Sequence, residues 1–297
     1  MTTLADVIQR CLHNHLLTGH RELRNTLSGA INASATTLTL NYAPDGISTG
    51  SKISIDLEDL YVVDVNPTAR TVTVIRGQYG STAASHSDAA VVMVNPKFSP
   101  FQIATETNNV LAELTTPGNN LFRPRTVTLT ASATAVGYDM TSVTDDLGII
   151  EVRYRVPGPE KAWPYVDRWE YAKDLPTTDF ASGRALIIHE GGYPGQSIQV
   201  RYKAKFVSLA NLADDVAGVA FLHAEAHDLL PLGAAIRLVT GREVKRNFDE
   251  VQGETRRAQE VPPGANLQSV RGLLAVYERR IAEEAERLAT QYVRRDR

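Results

Sequence analysis

The hydrophobic period switches four times along the chain between about 3.6 residues and two, so neither an all-helical nor an all-β fold accommodates it. Over Thr3 to Leu17, Leu4, Val7, Ile8, Cys11, Leu12 and His15 recur at three-and-four spacing. Asp6 stands three residues after Thr3 as an approximate capping box, and Gly19 is the expected C-cap. From His20 to Pro96 the texture becomes β. Thr36–Leu40, Lys52–Ile55, Leu60–Val65, Thr71–Ile75 and Ala90–Val94 alternate or are β-branched, separated by turn signals such as Pro44-Asp45-Gly46 and Arg76-Gly77. Phe98 to Thr115 returns to helix, with Ser99-Pro100 as N-cap and first residue and Pro117-Gly118 as its stop. Thr126–Thr130, Ile149–Val156, Ala185–Ile188 and Ile198–Tyr202 read as a second set of strands.

The last stretch is expected to be helical. Leu212 to about Thr240 is rich in Ala and Leu, with Pro231 kinking the helix or starting a new one and Gly241 as C-cap. Beyond a Pro-Pro-Gly loop at 262–264, apolar residues fall at Leu267, Val270, Leu274, Tyr277, Ile281, Ala285, Leu288 and Tyr292. That spacing predicts a helix of about 39 Å at 1.5 Å per residue. Short isolated helices are marginal in water, so the economical arrangement joins the separated helices into one body. The expectation is therefore α+β: a discontinuous α-helical bundle (1–19 with 98–118 and 208–297) carrying two inserted antiparallel β modules, 20–97 and 121–207, sandwich- or barrel-like.

Composition supplies the exclusions. A chain of 297 residues leaves room for about two domains at roughly 150 residues each. Hydrophobic residues make up 43% and charged ones 22%, ordinary globular usage. A net charge of −3 argues against a basic body that grips nucleic acid. The single cysteine, Cys11, has no disulfide partner, and the seven histidines make no zinc-finger spacing. No apolar run approaches the ~20 residues of a membrane span, and the N-terminus lacks the pattern of a secretory signal. A soluble protein of a reducing cytoplasm is expected, with no membrane partner.

Chemistry-bearing patterns are sparse. His223 and His227, four apart on an expected helix, share a face as in H-E-x-x-H zinc sites, but Glu225 comes two residues after the first histidine, roughly 200° around the helix, and cannot serve a shared metal. Polar positions on an Ala-rich helix are the plainer reading. No nucleophile elbow, phosphate loop or dinucleotide fingerprint occurs. No enzymatic activity, cofactor or metal is expected. Two features suit partner contacts. Trp163-x-Tyr165 and Trp169-x-Tyr171 place aromatics at period two, serving either a sandwich core or a binding face. The C-terminal helix carries Arg279, Arg280, Arg287, Arg294, Arg295 and Arg297 along with Tyr292, and arginine suits fixed pairing with carboxylates.

The segment Ala33 to His86 resembles a β module that recurs in virion proteins of tailed bacteriophages. The resemblance rests on Ala35–Leu40, Gly50–Asp56, Glu58, Val62-Val63, and above all Val74–His86, which reads V-x-R-G-x-x-G-[ST]-x-A-A-x-H, with Ser81 where threonine is more usual. With its flanking helices, and with Ala234–Glu243 similar to the helical part of such proteins, the chain resembles a head-to-tail connector, or adaptor. That resemblance implies a structural virion protein of the neck, assembled in the host cytoplasm. It implies a ring of identical subunits, typically a dodecamer, between the portal protein and a downstream neck or tail protein, with DNA passing through without specific binding. The second β module is not part of the resemblance. A rival expectation, resting on that module's aromatics, is a tail-tip or baseplate component that binds a host receptor or glycan.

Overall fold

The computed structural model describes residues 1–16, 22–159, 161–189, 193–251 and 265–292, the side chains of 241–251 and 265–269 apart. It is a mixed α+β fold with several antiparallel sheets and a few helices. By contact density it divides into two compact units: residues 1–111 with 207–280, and residues 112–206 with 281–297.

In the first unit, helix α1 (Leu4–Arg10) opens on a complete capping box. Asp6 N donates to Thr3 Oγ1 at 3.2 Å and Thr3 N donates to Asp6 Oδ2 at 2.9 Å. The helix continues as a π-helical turn, Cys11–Leu16, burying Cys11, Leu12 and Leu16. The expected C-cap Gly19 lies outside the described residues.

Six short strands follow: β1 (Leu23–Thr26), β2 (Thr37–Thr39), β3 (Lys52–Ile55), β4 (Glu58–Asn66), β5 (Thr71–Ile75) and β6 (Val91–Val94). They form one antiparallel sheet in the order β1-β6-β3-β4-β5-β2. The two edges approach each other through a bridge between Leu27 and Leu40, just beyond β1 and β2, so the sheet curls into a half-barrel. Alternate residues point inward, and Leu27, Leu38, Ile53, Ile55, Leu60, Val62, Val72, Val74 and Val92 fill the concave side. Five of the six strands lie where the periodicity places them. The polar run Leu23–Thr26 carries no such signal and is held as a strand by pairing with β6.

Helix α2 (Pro100–Leu114) begins with proline at its first position. Ser99 Oγ accepts from Gln102 N at 3.3 Å while Gln102 Oε1 accepts from Ser99 N at 3.2 Å, a second reciprocal cap. Ser99 Oγ also donates to the fully buried carboxylate of Asp59 on β4 at 2.9 Å, and Lys52 Nζ lies 2.7 Å from the same oxygen. The half-barrel and the start of α2 are thus tied by one buried ionic group.

The stretch after Val207 departs from expectation. No continuous helix spans Leu212 to Thr240. Asp215 instead caps a single π-helical turn, Val216–Ala220, which ends at Phe221 in a left-handed conformation (φ 60°). A 3₁₀ turn, Ala224–Ala226, follows, and helix α3 begins only at Leu229. The physical reason is competition for backbone groups: the carbonyls of Leu212 and Asp214 accept from Ala5 N and Leu4 N, satisfying the exposed donors at the start of α1 instead of building a helix of their own. Pro231 sits in the first turn of α3, where its missing N–H breaks no bond. Gly241 does not end that helix, which runs on to Val251 (Leu229–Val251), so the expected C-cap is corrected to an interior position.

Helix α4 (Ala265–Gln291) matches the strongest periodic signal in the sequence, and its buried positions Tyr277, Ile281, Glu284 and Leu288 follow steps of four, three and four. Within the first unit, α1 packs on α3. Gly233 on α3 lies against Val110 on α2 and Tyr277 on α4: a Cβ there would stand 2.8 Å from Val110 Cγ2 and 3.1 Å from the Tyr277 ring. Gly233→Val is therefore expected to destabilise by about 2 kcal/mol through overpacking. Gly272→Ala on α4, where nothing lies within 4 Å, is expected to stabilise by up to about 1 kcal/mol. Urea denaturation of the two variants reads both signs.

The second unit is built from β7 (Arg123–Thr130), β8 (Gly137–Asp139), β9 (Asp146–Tyr154), β10 (Trp169–Ala172), β11 (Ala185–Ile188) and β12 (Ser197–Ala204). Two three-stranded antiparallel sheets, β7-β12-β9 and β10-β11-β8, share a core of Met140, Val143, Ile149, Val152, Leu186, Ile188, Ile198, Val200 and Tyr202.

Candidate functional site

The most elaborate polar arrangement in the protein lies in the half-barrel, on the turn between β3 and β4 and the segment after β5. Glu58 opens β4 and is 1% exposed. Arg76, just past β5, grips it in a fork: Nε donates to Oε1 and Nη2 to Oε2, both at 2.7 Å. The guanidinium then reaches three carbonyls, Asn32 and Ala35 from Nη1 at 2.9 Å each and Ala84 from Nη2 at 2.5 Å. Every one of the five N–H donors of an arginine is therefore engaged, an arrangement lysine cannot reproduce.

His86 completes the cluster. Its Nδ1 lies 2.8 Å from Asp56 Oδ2 and its Nε2 2.9 Å from Glu58 Oε2. Both neighbours are carboxylates, which only accept, so both ring nitrogens donate and the ring is an imidazolium. Burial alone pushes the imidazole down, but the hydrogen bonds and charges of Asp56 and Glu58 override it and hold His86 up at about 9. Burial likewise pushes Glu58 up, and the donors Arg76, His86, Ala84 N and Gly77 N outweigh it, bringing it down to about 2. Two carboxylates and two cations balance.

The motif Val74–His86 follows from this geometry almost position by position. Val74 fills the core. Gly77, at φ +59°, presents its N–H to Glu58, and a Cβ would stand 3.0 Å from Ala83 N. Ser81 Oγ accepts from Asp59 N at 2.9 Å and donates to Gln78 O at 2.7 Å. Ala84 supplies an amide to Glu58 and a carbonyl to Arg76. The signature thus encodes a folding device.

An open cleft of about 620 Å³ adjoins the cluster, lined among others by Asp56, Thr82, Ser85, Phe101, Asn108 and Leu212. Only Asp56 of the charged cluster is appreciably exposed toward solvent, its side chain at 45% against 1% for His86. With imidazolium and glutamate shielded, Asp56 is the charged group of the cluster most open to a ligand in the cleft.

His223 and His227 do not share a helix face. His223 caps the 3₁₀ turn and is exposed, whereas His227 is buried with Nε2 3.0 Å from Leu222 O. His223 is extended (φ −62°, ψ 144°) ahead of the turn while His227 closes it in a helical conformation, so the spacing of four no longer aligns the rings. Among the described residues no group of three or more His, Cys, Asp or Glu is placed to hold a metal ion, and no helix is long and apolar enough to cross a membrane.

The expected partner-contact residues fall in different settings. Arg280 pairs with Asp228, Nε to Oδ2 at 3.0 Å, and Nη2 donates to Glu225 O at 2.9 Å, pinning α4 to the turn before α3. Arg287 Nε donates to Glu284 at 2.8 Å, and Arg279 is exposed. In the second unit Tyr292 stands edge-on to Phe122, centroids 6.1 Å apart, with the Arg201 guanidinium 6.0 Å from its ring. Arg294, Arg295 and Arg297 lie outside the described residues. Trp169 and Tyr171 pack against the sandwich core, while Tyr165 bridges to Arg153, whose Nη2 donates to the phenol oxygen at 2.8 Å. Trp163 is half-buried two residues before Tyr165. The sequence reading missed the partners of His86 because Asp56 and Glu58 lie 30 and 28 residues away. The forked Arg76 inside the repeating motif was the available signal.

Compared with protein-family models and with curated proteins, the chain matches neither.

Proposed function

We propose that this chain is a structural assembly protein of a tailed-bacteriophage virion: a head-to-tail adaptor whose copies form a ring between portal and tail, with DNA passing through. The observation that carries the reading is the Val74–His86 signature, whose residues close a self-contained ionic cluster in a β module. A motif consumed by folding marks a module type, and this module type resembles one found in virion proteins. Within the first unit, helices from separated stretches meet at Gly233, which supports a stiff frame, and on this reading 20–97 and 121–207 are modules inserted into a discontinuous bundle. Such a frame suits a closed ring built on heterologous contacts. The net charge of −3 suits a passage that does not retain phosphates. The adaptor is expected to act without enzymatic chemistry, in the neck.

Light scattering of the purified chain, alone and mixed with the portal protein of the same virus, tests this. A ring-sized complex forming on the portal, and immunolabelling at the neck of intact particles, are the expected results. A strictly monomeric chain that ignores the portal, or label confined to the distal tail tip, overturns the proposal.

A further inference from the structure

The second unit carries an outward face that its own core does not use. The bridge between Arg153 and Tyr165, with the bonds Tyr154 N to Pro164 O, Val156 N to Ala162 O and Val166 N to Val152 O, adds residues 162–166 as a fourth strand-like segment beside β9. That register sets Arg155 directly opposite Trp163 in a non-hydrogen-bonded pair, where side chains stand closest. Continuing across the sheet, Arg155 N donates to Ser197 O, and Ser197 pairs with Thr130. The next row runs Tyr165, Arg153, Gln199, Thr128. Alternation puts both rows on the side away from Val152, Val166, Ile198 and Val200, which face the core.

At its other end this face is closed: Tyr292 lies over Arg201, and Phe122 lies under Lys203 Nζ at 4.6 Å. The two rows remain open, with Thr128 and Thr130 exposed and the rest half-buried. Arg153 is tied to Glu151 and Tyr165. Arg155 has neither an ion-pair nor a hydrogen-bond partner among the described residues, and the same holds for the side chains of Trp163, Ser197, Gln199, Thr128 and Thr130. The rows therefore hold two guanidiniums, no carboxylate, one indole, the phenol of Tyr165 and four further neutral hydroxyl or amide groups.

We propose that this face binds a carboxylated saccharide. A planar guanidinium with no partner among the described residues can take a carboxylate bidentately, and the indole opposite it in the register offers an apolar plane for a sugar ring with an N–H at its edge. Short hydroxyls and an amide that both donate and accept match vicinal hydroxyls. A nucleic acid strand asks for a track of cations along its phosphates, and a single unpaired one is a poor match. A protein partner asks for a large apolar centre, which these rows lack. The inference stands apart from the adaptor reading, because nothing in ring formation requires a sugar.

Calorimetry on the full-length chain tests it, with hyaluronan tetrasaccharide and sialyllactose as probes, lactose as the uncharged control and a 15-nucleotide thymidine strand as the nucleic-acid arm. The expected result is binding of a carboxylated probe at least about tenfold tighter than lactose. Arg155→Gln should abolish that preference. Trp163→Ala should weaken binding by at least about tenfold, and Gln199→Ala replaces it if the tryptophan variant does not fold. No heat with either carboxylated sugar overturns the proposal, as does binding untouched by these substitutions in variants that melt like the parent. Tighter binding of the thymidine strand, falling steeply with salt, overturns it in favour of a nucleic-acid face.

Discussion

Arg76→Ala lowers the stability of the half-barrel by about 3–5 kcal/mol, the cost of taking from a buried carboxylate the forked partner that His86 and two backbone amides do not replace. The substitution removes both arms of the fork on Glu58, which is 1% exposed and cannot turn to water for compensation. It also frees the carbonyls of Asn32, Ala35 and Ala84, which belong to two segments that the guanidinium ties to Glu58. For a unit of this size the melting midpoint is expected to fall by about 10 °C. Arg76→Lys keeps the charge but offers three donors from one point, so it should recover less than half of the loss. Glu58→Gln in the Arg76→Ala background should restore part of the stability, since the stranded group is then neutral. Circular dichroism melts of the three variants decide the matter. A loss below about 1 kcal/mol for Arg76→Ala would mean that the cluster is solvated in solution and does not hold the module.

How much of this was legible beforehand depended on the range over which the physics acts. The caps at Thr3–Asp6 and Ser99–Gln102 are local hydrogen bonds, and both are written in the sequence as a residue type and a spacing of three. The strand from Thr71 to Ile75 was equally plain because a period of two persists across it, and Ala185 to Ile188 because it is a short, continuous apolar run of strand length. Leu23–Thr26 was not, since its strand character comes from β6, some 70 residues away in sequence. The expected helix from Leu212 failed for a related reason: a favourable composition was overridden when Asp214 and Leu212 gave their carbonyls to α1, more than 200 residues earlier. The ionic cluster shows the same limit. Arg76 and His86 were visible as motif letters, but the carboxylates that give them meaning sit on another strand. On the outer face of the second unit, the opposition of Arg155 and Trp163 needs a register that only folded coordinates define.

The pH dependence of the half-barrel offers the second large effect, and its sign differs on the two sides of neutrality. Glu58 falls from an ordinary 4.5 to about 2 in the folded chain, so its contribution is present above pH 4.5 and disappears as the pH drops toward 2. His86 rises from 6.5 to about 9, so its contribution is complete below pH 6.5 and is lost as the pH climbs through 9. The acid limb is shared. Asp6, Asp139, Asp146 and Asp214 are also held below their usual values by hydrogen bonds, and burial lowers His15. The alkaline limb between pH 6.5 and 8 belongs to His86, because the other strongly raised groups, Cys11 and Tyr171, are half-titrated in the unfolded chain at 9.0 and 10.0, and Cys11 adds to the slope only toward pH 9. Stability of the first unit is therefore expected to fall by a few kcal/mol between pH 6.5 and 9. His86→Gln should start lower and show a nearly flat line over that interval, while Glu58→Gln, with Asp56 still facing the ring, should keep part of the slope. Urea midpoints at half-unit pH steps give the comparison. A wild-type line already flat from 6.5 to 9 would show that the ring is neutral in the folded protein, and the two-carboxylate clamp around it would have to be abandoned.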